Sequence, residues 1–145
     1  MSNFASSDLE PLLKQGSIVP HVNQIKLNLF QRDKDTVGYC TNHGIVVEAY
    51  TPLGKGRVDH HPVVQSIAHS HNVTTYHIAL KWILQHDWIL TFQSSSEKHQ
   101  ATDAAVFDFM LSKKEMQALD RISSDTEHAA VDRMRQILKN FKLER

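Results

Sequence analysis

The feature that most constrains this chain is a regular alternation between short strand-like segments and longer helix-like segments. Residues 22–27 alternate apolar with polar side chains, whereas residues 45–50 and 88–92 are mostly apolar runs with β-branched or aromatic members. Apolar residues at helical spacing separate these runs. Strands joined by helices of this length form parallel β-α-β units with right-handed crossovers, so the pattern predicts an α/β fold. The run at 45–50 predicts a strand that is covered on both faces.

Capping signals predict where the helices begin and end. Ser7 and Glu10 have the spacing of a capping box and predict a helix that reaches Gln15. A second helix is predicted over residues 33–43, because Gly44 follows where a left-handed cap is least costly. The remaining helices are predicted at 63–68, from Thr75 to 83 after a break at Asn72, from Ser94-Ser95-Ser96 to about 105, from Ser112 onward, and at 129–141 as an amphipathic tail.

Length and composition limit the number of domains and the kinds of partner that we expect. The chain has 145 residues, of which 41% are hydrophobic, and this is enough to form one modest core. No repeat or low-complexity linker divides it, so we expect a single domain over residues 1–145. Sixteen Lys and Arg balance sixteen Asp and Glu, which leaves no broad positive field to attract polyanions. We therefore expect no nucleic-acid partner.

The cysteine and histidine content argues against disulfides and metal sites. Cys40 is the single cysteine and has no partner within the chain. His60-His61 and the pair His69 and His71 are adjacent or alternate residues, which point to different sides of a helix. No run approaches the roughly 18 apolar residues of a membrane span, and residues 1–7 do not resemble a secretory signal. These observations predict a cytoplasmic protein with no metal and no membrane partner.

A series of motifs in fixed order resembles the aldo-keto reductases. They are Ser2-Asn3-Phe4, Val22-Asn23-Gln24-Ile25, Tyr39-Cys40, His43-Gly44-Ile45, and the run Glu48-Ala49-Tyr50-Thr51-Pro52-Leu53-Gly54. The similarity continues through residues 79–85, 106–109 and 111–116. Several motifs in the right order make coincidence improbable. The resemblance covers residues 1–122 and leaves 123–145 as a divergent tail.

The resemblance implies part of a TIM barrel. A complete (β/α)8 barrel normally requires about 250 residues. The matching motifs correspond to the C-terminal half of the family's barrel, about the last three strands with their helices, followed here by a helical tail. The family's catalytic Asp, Tyr, Lys and His belong to the other half, so the resemblance assigns no catalytic residue to this chain.

The resemblance does imply a nicotinamide-nucleotide site along one edge of the sheet. In the family, the equivalents of Ser2, Asn3 and Gln24 hydrogen-bond the nicotinamide carboxamide, and the equivalent of Tyr50 stacks on the ring. The loop that crosses the pyrophosphate corresponds to Thr51, Leu53 and Gly54. Gln93 and Ser94 correspond to residues near the adenosine 2′-phosphate.

The adenosine end departs from the family pattern. Gln93 and His99 stand where the family often has Lys and Arg, and Thr102-Asp103 replaces a common Glu-Asn pair. Charge-assisted contacts to phosphate are roughly twice as strong as neutral ones. The sequence therefore predicts weak binding of NADP(H) or NAD(H) with little discrimination between them.

Three functional hypotheses are compatible with this pattern. In the first, the chain is a truncated aldo-keto reductase-like protein that retains part of the NAD(P)H-binding edge and reduces nothing by itself. In the second, it is the cofactor-binding half of an NAD(P)H-dependent carbonyl oxidoreductase, and another chain supplies the complementary half-barrel. In the third, it is a structural remnant that self-associates because its open sheet exposes edges and an apolar face.

Overall fold

A computed structural model describes residues 1–91 and 104–122 of the chain and contains a parallel sheet with helices packed on one face. The elements are α1 (Ser6–Gln15), β1 (Val22–Lys26), α2 (Lys34–Asn42), β2 (Val46–Tyr50), α3 (Pro62–His71), α4 (Thr75–Gln85), β3 (Ile89–Thr91) and α5 (113–122). Short 3-10 turns lie at Gly54–His60 and Ala104–Phe107. The predicted α/β class is confirmed.

The sheet has the order β1-β2-β3, which is also the order of the strands along the chain. Lys26, Tyr50 and Thr91 are the last residues of the three strands and stand in register with one another. Ser2 forms an isolated parallel bridge to Gln24 on the other side of β1. The carboxyl ends of the strands therefore meet at one edge, where open α/β sheets place their ligand sites.

The two faces of the sheet have different surroundings. Ile25, Val47 and Ala49 point toward the helices and are buried. The other face carries Gln24 and Glu48, which remain partly exposed because no element of the described chain covers them. The prediction that residues 45–50 form a strand covered on both faces is therefore wrong: burial alternates along β2.

The self-association hypothesis expects the open face to be apolar, but this face is more polar than expected. Its carboxyl-end row contains Lys26, Tyr50 and Thr91, whereas exposed Val46 and Ile89 lie nearer the amino ends of the strands. Strands of a barrel turn one face inward and the other toward the surrounding helices. Since the helices cover the opposite face here, the open face corresponds to a barrel interior.

The core lies between the sheet and the helices. Its largest fully buried side chains include Leu9, Leu27, Ile78, Ile83 and Trp82. Apolar packing of this kind supplies most of the stabilisation of helices, which individually are marginal in water.

Asp120 attaches α5 to the rest of the fold. Its carboxylate accepts hydrogen bonds from Arg32 at 2.8 Å and from Trp82 at 3.1 Å. The same carboxylate lies 2.9 Å from Nε2 of the His86 ring. Burial by itself would raise the pKa of Asp120, but the hydrogen bonds from Trp82 and His86, together with the positive charges of His86 and Arg32, outweigh it and lower the pKa. Asp120 is therefore ionised at neutral pH and joins α4, α5 and the segment after β1.

A Ser-x-x-Glu spacing precedes two of the predicted helices, at Ser7 and at Ser112, with different outcomes. The Ser7–Glu10 capping box is wrong: the helix begins at Ser6, and Asp8 accepts the hydrogen bond of the Ala5 N–H at 2.9 Å. Glu10 instead pairs with Lys14 one turn later, at 2.7 Å. The start at Ser112 is confirmed, because its N–H donates to the Glu115 carboxylate at 2.7 Å and its hydroxyl accepts from the Glu115 N–H at 3.3 Å.

The predicted breaks after two helices are confirmed. Gly44 follows α2 with φ +68°, and Asn72 ends α3 with φ 53°. Both adopt the left-handed conformation that Gly and Asn tolerate better than other residues. Most of the helix predicted from Ser94-Ser95-Ser96 and the amphipathic helix predicted at 129–141 lie outside the described residues. Among the described residues, no helix combines the length and apolar character needed to cross a membrane.

Candidate functional site

The carboxyl edge of the sheet brings together the four residues predicted to contact a nicotinamide group. Ser2 and Asn3 run beside β1: the Gln24 N–H donates to the Met1 carbonyl at 2.9 Å, and the Asn3 N–H donates to the Gln24 carbonyl at 2.8 Å. Tyr50 reaches across β1 and donates its hydroxyl hydrogen bond to Asn3 Oδ1 at 2.9 Å. Side chains from three different segments therefore meet on the open face.

Asn3 holds its position through its backbone as well as its side chain. Its φ of 58° is left-handed, which Asn adopts more readily than most residues. With Oδ1 engaged by Tyr50, the amide nitrogen Nδ2 donates to Ser2 Oγ at 3.2 Å. An amide nitrogen carries two hydrogens, so Asn3 retains a second donor for a ligand.

Glu48 is the centre of a second polar group on the same face. Its Oε1 accepts a hydrogen bond from Gln24 Nε2 at 3.1 Å and another from the Thr91 hydroxyl. The hydrogen bond from Thr91, followed by that from Gln24, lowers the pKa of Glu48. The carboxylate is therefore ionised at neutral pH and connects all three strands.

The loop after β2 continues the site. Thr51, Gly54, Lys55 and Gly56 all have positive φ, at 57°, 57°, 58° and 82° respectively. A Cβ at Gly54 would come within 2.8 Å of Phe30 Cδ2, so the close approach of these two loops requires glycine there. Successive backbone amides in such conformations form concavities that favour anions.

Asn28 fixes this loop to the segment after β1. Its side chain is buried, donating from Nδ2 to the Thr51 carbonyl at 3.2 Å and accepting from the Phe30 N–H at 3.0 Å. Its backbone exchanges two hydrogen bonds with Gln31, at 3.0 and 3.1 Å. Buried amides that satisfy several partners position neighbouring backbone accurately, and here they shape the floor between two loops.

Between the two loops lies an open cavity of about 370 Å³. It is lined by Lys26, Asn28, Phe30, Gln31, Thr51, Gly54, Lys55 and Arg57. Three of these side chains are cationic and none is acidic. The Arg57 guanidinium lies 4.2 Å from the centroid of the Phe30 ring, an attractive arrangement that places its charge beside the cavity.

The predicted site residues divide into three groups. Ser2, Asn3, Gln24 and Tyr50 are brought together on the open face, whereas Thr51, Leu53 and Gly54 belong to the adjoining loop, with Thr51 and Gly54 lining the cavity. Gln93 and Ser94 lie outside the described residues.

Sequence reasoning did not identify Lys26, Asn28, Glu48, Lys55 or Arg57 as members of this site. Lys26 and Glu48 follow the same two-residue periodicity as Gln24 and Tyr50, and that spacing alone would have placed them on the same face. Arg57 had no comparable signal, because its location depends on the irregular turns of Gly54–His60.

The two parts of the site have complementary chemistry. The open face presents amide, hydroxyl and carboxylate groups that can recognise a small polar group, while the cavity presents three cations and backbone amides suited to phosphate oxygens. Within residues 1–91 and 104–122, no group of three or more His, Cys, Asp or Glu side chains is arranged to hold a metal ion. The arrangement therefore suits an elongated ligand with a phosphate next to a polar ring.

Comparison with known proteins places this geometry in a family. Residues 1–124 match the model of the aldo/keto reductase family. The oxidoreductase YtbE and the glyoxal reductase of Bacillus subtilis (strain 168) are each 36% identical to this chain over 126 residues, which is 86% of this chain and 45% of each relative. The chain therefore spans about half the length of these curated relatives.

Solved structures give the same result. The crystal structure of a Gox0644 mutant in complex with NADPH is 34% identical, with a TM-score of 0.80, and the alignment covers 83% of this chain and 45% of that one. The fold matched is a partial barrel, in agreement with the three described strands.

Proposed function

This chain belongs to the aldo/keto reductase family, and on that premise we propose that the segment binds a nicotinamide dinucleotide along its sheet edge and, by itself, reduces no carbonyl. One observation carries the proposal. The amide-recognition group of Asn3, Gln24 and Tyr50 lies beside a cationic cavity, because Lys26, which stands in register with Tyr50 on the open face, also lines the cavity. A dinucleotide has the corresponding order of polar ring and phosphates.

The donor set fits the nicotinamide end of such a ligand. A primary carboxamide needs one donor for its oxygen and acceptors for its NH2 group. Asn3 Nδ2 supplies the donor, and Gln24 lies on the same face to supply an acceptor. When bound, the reduced nicotinamide ring supplies a hydride, and Tyr50 offers an aromatic surface for the ring.

The cavity fits the diphosphate. Lys26, Lys55 and Arg57 carry permanent positive charge, and Arg in particular contacts phosphate oxygens through paired N–H groups. The left-handed backbone from Gly54 to Gly56 adds amide dipoles. We propose that Gln93 and Ser94 contact the adenosine end and, because neither is cationic, that NADPH and NADH bind with similar affinity.

Direct titration tests this proposal. We expect saturable, one-to-one binding of NADPH and NADH to the purified chain, measured by calorimetry or by the fluorescence of the reduced cofactor. Because only part of the ligand is contacted, the dissociation constants should lie between about 10 µM and 1 mM and differ by less than about tenfold. An isolated chain mixed with NADPH and a simple aldehyde should show no oxidation of the cofactor.

Matched ligands separate the parts of the site. Nicotinamide mononucleotide contains the ring but lacks the diphosphate, so it should bind more weakly than either dinucleotide. The absence of saturable binding at 5 mM NADPH and NADH, a concentration about fivefold above the weaker limit, would reject the proposal.

A second candidate function follows from the open face of the sheet. Val46 and Ile89 are 40% and 48% exposed on a face that a closed barrel turns inward. This observation supports a cofactor-binding half of a carbonyl oxidoreductase whose catalytic half is another chain. The other chain would cover Val46, Ile89 and the polar row of Lys26, Tyr50 and Thr91, and would thereby complete the barrel.

Mixing experiments test complementation. With the N-terminal half-barrel of a related reductase, we expect a one-to-one complex in sedimentation and NADPH-dependent reduction of an aldehyde that neither half reduces alone. Val46→Glu would place a charge in the covered face and should abolish both the complex and the restored activity, whereas Lys113→Glu on the exposed side of α5 should not. Formation of a homodimer without the added half would instead favour self-association.

A further inference from the structure

Glu48 occupies a position that determines how Gln24 can face a ligand. A Gln side chain ends in one acceptor oxygen and one NH2 donor, and rotation of the amide exchanges them. Gln24 Nε2 donates to Glu48 Oε1 at 3.1 Å. An ionised carboxylate can only accept, so the opposite rotamer would bring two oxygens together and lose this bond.

Thr91 reinforces the arrangement from the third strand. Its hydroxyl donates to the same Glu48 oxygen, and the side chain of Glu48 is thereby held between β1 and β3. These bonds lower the pKa of Glu48, with Thr91 contributing first and Gln24 second. The carboxylate accordingly remains an acceptor throughout the neutral pH range.

The outcome is a fixed pattern of donors and acceptors on the open face. Gln24 directs its nitrogen at Glu48, and its Oε1 has no hydrogen-bond partner among the described residues. Asn3 has the opposite pattern, because Tyr50 engages its oxygen and leaves an amide hydrogen for a ligand. The open face therefore carries one acceptor, on Gln24, and one donor, on Asn3, that a ligand can use.

We propose that Glu48 is a positioning and specificity-determining residue: through Gln24 it makes the site select a carboxamide ring and reject the corresponding carboxylic acid. This inference rests on the proposed binding of a nicotinamide dinucleotide and adds a selectivity to it. A carboxamide NH2 can donate to Gln24 Oε1, whereas a carboxylate has no hydrogen to donate and is repelled by both Gln24 Oε1 and the negative Glu48.

The test compares two ligands that differ only in this group, NAD+ and nicotinic acid adenine dinucleotide. The wild-type chain should bind NAD+ at least about tenfold more tightly. Glu48→Gln removes the charge and allows Gln24 to present either end, so the preference should fall to about twofold or less. Glu10→Gln is the matched control, because Glu10 pairs with Lys14 on the surface of α1, and it should keep the wild-type preference.

Thr91→Val provides a second variant that leaves the carboxylate in place. It removes one of the two bonds that hold Glu48, and we expect an intermediate preference. The ratio of the two affinities reports selectivity, which a general loss of stability would not change. Side-chain amide signals of Gln24 in nitrogen-15 NMR should also shift between wild type and Glu48→Gln before any ligand is added.

The outcomes distinguish this inference from the proposed function. Equal binding of both ligands by wild type, or an unchanged preference in Glu48→Gln, overturns the role of Glu48 while dinucleotide binding stands. Binding of neither ligand overturns the proposed function and this inference with it. A preference that falls in Glu48→Gln and persists in Glu10→Gln supports both.

Discussion

Replacing Trp82 with Ala should lower the free energy of unfolding by about 3–5 kcal/mol, a large part of the total stability of a small domain. Trp82 is only 1% exposed, and its ring packs edge-on against His86 and Trp88 at centroid distances of 5.1 and 5.4 Å. Truncation would leave a cavity in the core and remove the hydrogen bond from Trp82 Nε1 to Asp120. Both losses weaken the junction of α4 and α5.

Chemical denaturation followed by circular dichroism measures this effect. Trp82→Phe is the control, because it keeps most of the buried aromatic volume and removes only the indole N–H. Its unfolding free energy should fall by about 2–3 kcal/mol, because a hydrogen bond to a charged partner contributes about 1.5–3 kcal/mol and the change in packing is modest. A loss below about 1 kcal/mol for Trp82→Ala would show that α4 is not held by this core.

Neutralising the cavity should have the largest effect on ligand binding. The triple variant Lys26→Gln, Lys55→Gln and Arg57→Gln should reduce the affinity for NADPH by about 30-fold or more, because three charge-assisted contacts to phosphate are removed. Lys26 is half-buried, whereas Lys55 and Arg57 are exposed, so solvent screening limits the contribution of each charge. Wild-type affinity should also fall with rising salt, and the variant should respond less.

A control of equal charge change is available on another surface. Lys113, Lys114 and Arg121 lie on exposed positions of α5 and do not line the cavity. Their replacement with Gln should leave NADPH affinity within about twofold of wild type, since these side chains do not line the cavity and salt screens the field of exposed charges. An equal loss in both triple variants would indicate attraction by net charge alone rather than a site in the cavity.

Local patterns were sufficient to predict most of the described fold. The two-residue alternation at 22–27 gave β1, and the caps at Gly44 and Asn72 gave helix ends that the structure contains. The grouping of Ser2, Asn3, Gln24 and Tyr50 was expected from the resemblance to aldo-keto reductases. For Gln24 and Tyr50 the physical reason is that parallel strands in register bring their carboxyl ends to one edge.

The features that sequence reasoning missed depend on contacts between distant segments. Asn28 follows the strand predicted at 22–27 and carries no motif of its own, yet it is buried as a link between two loops. The N-cap of α1 is Ala5, which has no side-chain acceptor, and Asp8 at the third helical position binds the Ala5 N–H; the Ser7–Glu10 spacing therefore did not locate the helix start. The sequence also could not show that only one face of β2 is buried, because an apolar run does not indicate whether one or both faces of a strand will be covered.

The order of the strands bears on how the chain acquires its structure. In the described sheet, β2 and β3 each pair with the strand that immediately precedes them along the chain, with Val22 beside Val46 and Glu48 beside Ile89. A polypeptide emerging from the ribosome can therefore add one β-α unit at a time without separating pairs that have already formed. The entropic cost of loop closure is divided among small successive steps, because no described strand must insert between two strands that have already paired. Synthesis and folding can proceed in the same direction.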